Sequence, residues 1–233
     1  MDINKVYLGD CLEIMPLIGD KSIDMILCDL PYGTTACKWD TVIPFEPLWR
    51  EYKRIIKEHG AIVLTASQPF TSALVMSNIK MFKYEWIWNK NRGTGIFNAK
   101  KSPMKSHENV LVFYQSQPTY NPQMTVGKPY IAKQGKQSNS FGLNTGKDII
   151  TVNTGERYPL SSLYFASTNG HNIHPTQKPV ALFEYLIKTY TNEEDLVLDN
   201  CMECGDKLGG LAQLKGKKKK DRKVVCLKCA KVV

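Results

Sequence analysis

Asp29-Leu30-Pro31-Tyr32 places a carboxylate, a rigid Pro and an aromatic ring within four residues. That set suits activation of an exocyclic base amine. Such an amine is a poor nucleophile because its lone pair is delocalised into the ring. A carboxylate and a backbone carbonyl that accept its two N–H bonds draw the nitrogen toward a tetrahedral shape and free the lone pair. An aromatic such as Tyr32 can stack on a base that has left the duplex. The same four residues also suit a plain turn after a strand, because Asp and Pro favour turns. A second group is His174-Pro175-Thr176-Gln177-Lys178-Pro179, dense in polar side chains. A third is the paired spacing Cys201-x2-Cys204 and Cys226-x2-Cys229. Thiolates three positions apart chelate one metal from a tight turn, and four of them close a tetrahedral zinc site. The spacer of 21 residues is just beyond the usual range of about 15 to 20.

These groups need elements to hold them. Ile23–Asp29 is an apolar run ending in an acid, which reads as a buried parallel strand with a polar tip. Val6–Leu8 opens a short strand closed by Gly9-Asp10, and Leu12–Leu17 reads as a short helix. Phe45–Lys57 has helical spacing, His59-Gly60 ends it, and Ala61–Thr65 is the next strand. Pro69–Met76 predicts a helix, and Tyr84–Trp88 and Val110–Tyr114 predict strands. Pro175–Tyr190 is helical again, and Asp195–Asp199 is another apolar strand ending in an acid. The alternation predicts an α/β fold with a mostly parallel sheet. Between its halves, Gln115–Asn172 is rich in Gln, Asn, Thr, Ser and Gly. It is too long for an ordinary loop. Its aromatic residues, among them Tyr120, Tyr130, Tyr158 and Phe165, predict an ordered insert rather than a disordered one.

The chain has 233 residues and a formal net charge of +9, which favours a polyanionic partner. The charge is uneven. From Cys201 onward ten Lys and Arg stand against three acids, a net of +7, so the first 200 residues hold only +2. Lys217–Lys220 suits either a nucleic-acid contact or a solvated segment. No apolar run approaches the roughly 20 residues of a membrane span, and the start lacks a signal-peptide pattern, so a cytoplasmic protein is expected. Cys11 and Cys28 sit among apolar neighbours and are expected to be buried, reduced thiols.

Taken together, these strings resemble the Asp-Pro-Pro-Tyr family of DNA N6-adenine and N4-cytosine methyltransferases, of the kind with the catalytic motif first. The resemblance spans roughly residues 3 to 202. It implies a Rossmann-like methyltransferase sheet, S-adenosylmethionine as cofactor, and double-stranded DNA with a flipped target base as partner. Asp29-Leu30-Pro31-Tyr32-Gly33 matches the catalytic loop, with Leu for the first Pro, and puts Asp29, Pro31 and Tyr32 in catalytic roles. Gly9-Asp10-Cys11-Leu12 matches the opening strand end, where an acid contacts the cofactor's adenine. Gly60–Leu64 and His107-Glu108-Asn109-Val110-Leu111 resemble later core strands. The resemblance places Asp10, Leu30, His174, Thr176, Lys178, Asp199 and Gly205 on the cofactor side. Asp at the start of the loop favours adenine, since the cytosine-N4 members more often begin with Ser. The implied parts are a catalytic half over 1–114, a target-recognition insert over 115–172, a cofactor-side helix and strand over 173–200, and a basic tail over 201–233.

The resemblance breaks after Asp199-Asn200-Cys201-Met202. Glu203 stands where the family has a Gly, only Gly205 fits the Gly-rich turn, and no further strand is legible in the Lys-rich tail. The sheet is therefore expected to be incomplete at its C-terminal end. Cys201, Cys204, Cys226 and Cys229 resemble instead the two knuckles of a zinc ribbon, with Val224-Val225 and Lys231–Val233 as hairpin arms. The expected activity is methyl transfer to adenine N6 in DNA. The alternative is an impaired methyltransferase remnant that binds DNA through a basic zinc tail.

Overall fold

The computed structural model describes residues 6–37, 40–134, 149–167, 177–200 and 223–229. Strand β1 (Val6–Gly9) leads into helix α1 (Cys11–Ile14) and a 3-10 turn. There follow β2 (Ile23–Asp29), α2 (Phe45–Ile55), β3 (Ile56–Ala66), α3 (Phe70–Ser77), β4 (Phe82–Thr94) and β5 (Lys105–Phe113). The polar segment contributes β6 (Thr125–Val126), β7 (Tyr130–Gln134), β8 (Ile149–Asn153), β9 (Glu156–Arg157) and β10 (Ser162–Tyr164). Helix α4 (Val180–Tyr190), β11 (Leu196–Asp199) and β12 (Lys223–Cys229) complete the order.

Eight strands form one sheet in the order β1-β12-β11-β2-β3-β5-β4-β10. Pairing is parallel from β1 to β3 and again between β4 and β10, and antiparallel at β3–β5 and β5–β4. The expected α/β sheet is present. Side chains alternate across it, as the pleat requires. Ile26, Cys28, Ile62, Leu64 and Leu198 pack with Leu48, Tyr52, Ile55, Phe70 and Leu74 of α2 and α3. Met25, Leu27, Ala61, Val63 and Val197 pack with Leu182, Phe183, Leu186, Ile187 and Tyr190 of α4. The sheet is thus covered on both faces, which explains why its central strands read as continuous apolar runs. Cys11 and Cys28 are buried thiols in this core.

Helix α2 ends two residues before the expected Lys57. Ile56 is already extended, pairs with Ile23 of β2 and is buried, so sheet burial overrides helical spacing there. No helix among the described residues is long and apolar enough to cross a membrane.

The C-terminal expectation is corrected. Lys223–Cys229 is not the arm of a small separate ribbon; it is β12, seated between β1 and β11 and parallel to both. The sheet therefore has a strand where it was expected to be incomplete. A chelating knuckle needs a tight turn between its two cysteines, whereas Cys226 and Cys229 lie on one continuous strand, paired with Val6 and Gly9. Cys201, Cys204 and the Lys217–Lys220 run lie outside the described residues. Among the described residues no cluster of three or more His, Cys, Asp or Glu side chains could hold a metal ion.

The chain divides into two compact units, one of residues 1–121 with 161–233 and one of Pro122–Leu160. In the smaller unit β6 pairs with β9 and β7 with β8, both antiparallel. The Arg157 guanidinium lies 4.6 Å from the centre of the Tyr130 ring and donates to the Lys128 carbonyl. Gly155, at a φ of 114°, makes the turn between β8 and β9; an added Cβ there would stand 2.7 Å from the Gly127 carbonyl oxygen.

Candidate active site

Asp29 is the last residue of β2, at the carboxyl edge of the parallel strands, where open α/β sheets bind ligands. Thr65 lies beside it in register on β3, and Glu108 comes to the same edge because β5 runs the other way. Oδ1 of Asp29 accepts from the Thr65 hydroxyl and, at 2.9 Å, from the Tyr32 hydroxyl. Oδ2 accepts from Nζ of Lys178 at 2.7 Å. Lys178 stands just before α4, so that helix delivers the ammonium to the tip of β2.

A second carboxylate completes the group. Glu108 accepts from Lys90 of β4 and lies 3.5 Å from both Nζ of Lys178 and the Tyr32 hydroxyl. Two acids and two ammoniums thus share a nearly dry pocket, with side-chain exposures of 9 to 13%. Opposite charges in such a place must pair, because isolated charges are costly to bury.

Tyr32 ties the group to the loop. Its ring stacks on Phe70 at 5.2 Å and 25°, and Nζ of Lys178 sits 5.2 Å from the ring centre. Burial, and then the charges of Asp29 and Glu108, push the hydroxyl well above the usual phenol range. It is therefore a neutral donor at any working pH. The ring is therefore held by Phe70 and by the Lys178 ammonium as well as by its hydroxyl.

The loop after Tyr32 is held by Asp40. Its carboxylate accepts from the backbone N–H groups of Gly33 at 2.8 Å, Thr34 at 2.9 Å and Thr35 at 2.7 Å. Burial alone would raise its pKa, but the bonds from Gly33, Thr35 and Thr34 outweigh it and hold the carboxyl below the usual range. Gly33 itself has a φ of 67°, and an added Cβ would lie 2.9 Å from Cγ2 of Val42. Only Gly fits that bend without strain.

Asp29, Tyr32 and Lys178 therefore come together, with Leu30 and Pro31 buried between the first two. Asp10 follows β1 and accepts from the Leu12 N–H at 2.8 Å, capping α1. Asp199 ends β11 and is buried, and the next residue, Asn200, accepts from the Tyr52 hydroxyl of α2 at 2.5 Å. His174, Thr176 and Gly205 lie outside the described residues. Sequence reasoning missed Glu108, Lys90, Thr65 and Asp40 as site residues. The available signal for Glu108 was a charged residue two places before the apolar run Val110–Phe113, the mirror image of an acid at the end of a parallel strand.

A doubly covered sheet with a carboxylate-bearing loop at its carboxyl edge defines an enzyme-like ligand site. The DNA methylase family model for N6 and N4 methyltransferases matches residues 23–202, so the chain belongs to that family. It is 27% identical over 226 residues to the type II methyltransferase M1.MboII of Moraxella bovis, covering 88% of this chain and 86% of that one. Against two other type II methyltransferases it spans about three fifths of their length, 62% and 58%. In fold it is similar to the cytosine-N4-specific PvuII DNA methyltransferase, with a TM-score of 0.65 and 14% identity over 98% of this chain and 82% of that one. It is also similar to M1.HpyAVI in complex with SAM, with a TM-score of 0.57 and 20% identity over 97% of this chain and 94% of that one.

Proposed function

We propose that this protein transfers a methyl group from S-adenosylmethionine to the N6 amine of adenine in double-stranded DNA, with the target base turned out of the helix. The observation that carries the reading is the Asp29 carboxylate, fixed at the tip of β2 by Thr65, Tyr32 and Lys178. A carboxylate offers about four lone-pair sites. Three are taken by those donors, and the fourth suits one N–H of an amine. A backbone carbonyl of the Leu30–Pro31 loop takes the other, and the nitrogen lone pair is thereby freed for attack. The Tyr32 hydroxyl, the Thr65 hydroxyl and the Lys178 ammonium hold the Asp29 carboxylate in place while the base amine binds.

The described residues fit the cofactor. Asp10 after β1 and Asp199 at the end of β11 stand at the same sheet edge as Asp29, and acids there suit the hydroxyl and amino groups of an adenosine and the positive charge of a sulfonium. When bound, S-adenosylmethionine supplies an electrophilic methyl group. Lys178, which the resemblance puts on the cofactor side, is read here as the partner of Asp29. The unit Pro122–Leu160, within the polar segment 115–172, is read as the part that recognises DNA sequence, through side chains such as Lys128, Lys133 and Arg157.

Adenine is preferred over cytosine because the loop begins with Asp. The test is tritiated methyl transfer to unmethylated DNA, followed by digestion and separation of the nucleosides. Label in N6-methyladenine is expected. Label in N4-methylcytosine would overturn the choice of base, and no label with any DNA would overturn the activity.

A further inference from the structure

Strands β4 and β5 run on past the active-site edge. At the level of Asp29 the register passes through Thr65 to Val110 and Trp86, yet β5 begins at Lys105, five residues further out. At about 3.4 Å per residue the hairpin projects roughly 17 Å beyond that edge before it turns. Its root is the catalytic group itself, since Lys90 and Glu108 face each other across it.

The tip is built rather than loose. Gly95 bends it at a φ of 90°, with open space around it. Asn98 and Ala99 donate to the carbonyls of Gly95 and Ile96, and Lys101 and Ser102 both donate to that of Asn98. This closed turn presents Phe97 to solvent at 99% exposure, with Ile96 at 63% beside it. The same hairpin carries Arg92, Lys100 and Lys101, all exposed, while Lys105 donates to the Gln68 carbonyl, and no acid occurs between Glu85 and Glu108. A fully exposed Phe in a monomeric surface has no packing reason. A purely basic collar suits a polyanion rather than a protein surface.

We infer that the β4–β5 hairpin is a DNA wedge: Phe97 enters the base stack beside the target nucleotide while Arg92, Lys100 and Lys101 hold the flanking phosphates. An apolar side chain that unstacks a base step kinks and unwinds the duplex, and it fills space that the extruded base vacates. The hairpin's rigid tip and its root in the Lys90–Glu108 pair place that wedge in fixed relation to Asp29. The inference rests on the proposed DNA methylation.

The test uses the full chain on closed circular DNA relaxed by a topoisomerase in its presence, which reports unwinding as a change in linking number. Wild type at saturation should unwind the DNA. Phe97→Ala at equal occupancy should lose at least about four fifths of that change, and Phe97→Trp, which keeps a stacking ring, should retain it. Methyl transfer to duplex DNA by Phe97→Ala should fall roughly ten- to hundredfold, the range of one lost base stack. Unwinding by Phe97→Ala equal to wild type, or none by wild type, would overturn the wedge. Active wild type with an unaffected Phe97→Ala sinks the wedge alone, whereas absence of methyl transfer by wild type sinks the proposed function.

Discussion

Nζ of Lys178 lies 2.7 Å from Oδ2 of Asp29, although 149 residues separate them in the chain. The contact joins the tip of β2 to the start of α4. It means that the two most specific strings of the sequence, the catalytic loop and the polar hexapeptide, meet at one oxygen atom. Asp29→Ala should abolish methyl transfer, and Asp29→Asn, which keeps one acceptor oxygen and replaces the other with an NH2 donor, should lower kcat by about 10²- to 10⁴-fold. Single-turnover measurement of labelled methyl transfer checks both. Activity near wild type in either variant would remove Asp29 from the chemistry.

Lys178 sits between two carboxylates, so its loss is felt in stability as well. Lys178→Met removes the ammonium between Asp29 and Glu108 and leaves Lys90 paired with Glu108. Breaking a buried ion pair from one side costs about 3–5 kcal/mol. Denaturant unfolding should show a loss of that order, and the double variant Lys178→Met with Glu108→Gln should recover part of it. If the single variant is as stable as wild type, the cluster is not electrostatically coupled.

Asp40 should give the catalytic loop a pH dependence. Its folded pKa is depressed, so the stability it contributes is present above the unfolded value near 4 and is lost as pH falls through the folded one. Asp40→Asn should therefore be less stable than wild type at pH 7, by about 2–3 kcal/mol for lost bonds to a charged acceptor. The gap should narrow below pH 4. Denaturant midpoints at both pH values measure it, and a gap that is constant with pH would contradict the assignment. Methyl transfer by the variant should fall as well, since Gly33, Thr34 and Thr35 lose their common anchor.

Much of this arrangement is legible in the sequence, for a physical reason. Strands β2 and β11 are buried on both faces, so their apolar runs end abruptly at the acid that reaches the sheet edge. Lys178 is legible only as part of a string; nothing in local spacing says that it meets Asp29, because the meeting depends on α4 crossing the sheet. Glu108 is hidden because β5 is antiparallel, which puts its functional end first rather than last. Asp40 reads as an ordinary loop acid. The C-terminal misreading has the same root: Cys226-x2-Cys229 is a metal signal only if a turn joins the two, and pairing with β1 and β11 extends the chain instead.

The unit Pro122–Leu160 should determine which DNA is methylated more than whether the cofactor binds. Replacing residues 123–159 by a short Gly-Ser linker should change or erase sequence preference. Cofactor affinity, measured by calorimetry, should shift less than about threefold. This follows because Asp10, Asp29 and Asp199 all belong to the larger unit. An unchanged preference would assign recognition elsewhere.

Strand β12 yields the last prediction. All four residues of β1 and all four of β11 find their parallel partners on it, so it is the link between the opening strand and the rest of the sheet. A chain ending at Asn200 loses that link and leaves the Asp10 end of β1 without its neighbour. It should melt at least about 10 °C below the full chain, which for a protein of this size corresponds to a few kcal/mol. It should also bind S-adenosylmethionine far more weakly. A zinc-stapled tail would make a different prediction, because closed thiolate sites fold only with metal, and a strong chelator would reproduce the truncation. With β12 as a sheet strand, the full chain should melt at the same temperature with and without chelator, and Cys226→Ser with Cys229→Ser should keep its cofactor affinity. A chelator that lowers the melting temperature of the full chain as much as truncation does would restore the metal reading and remove β12 from the sheet.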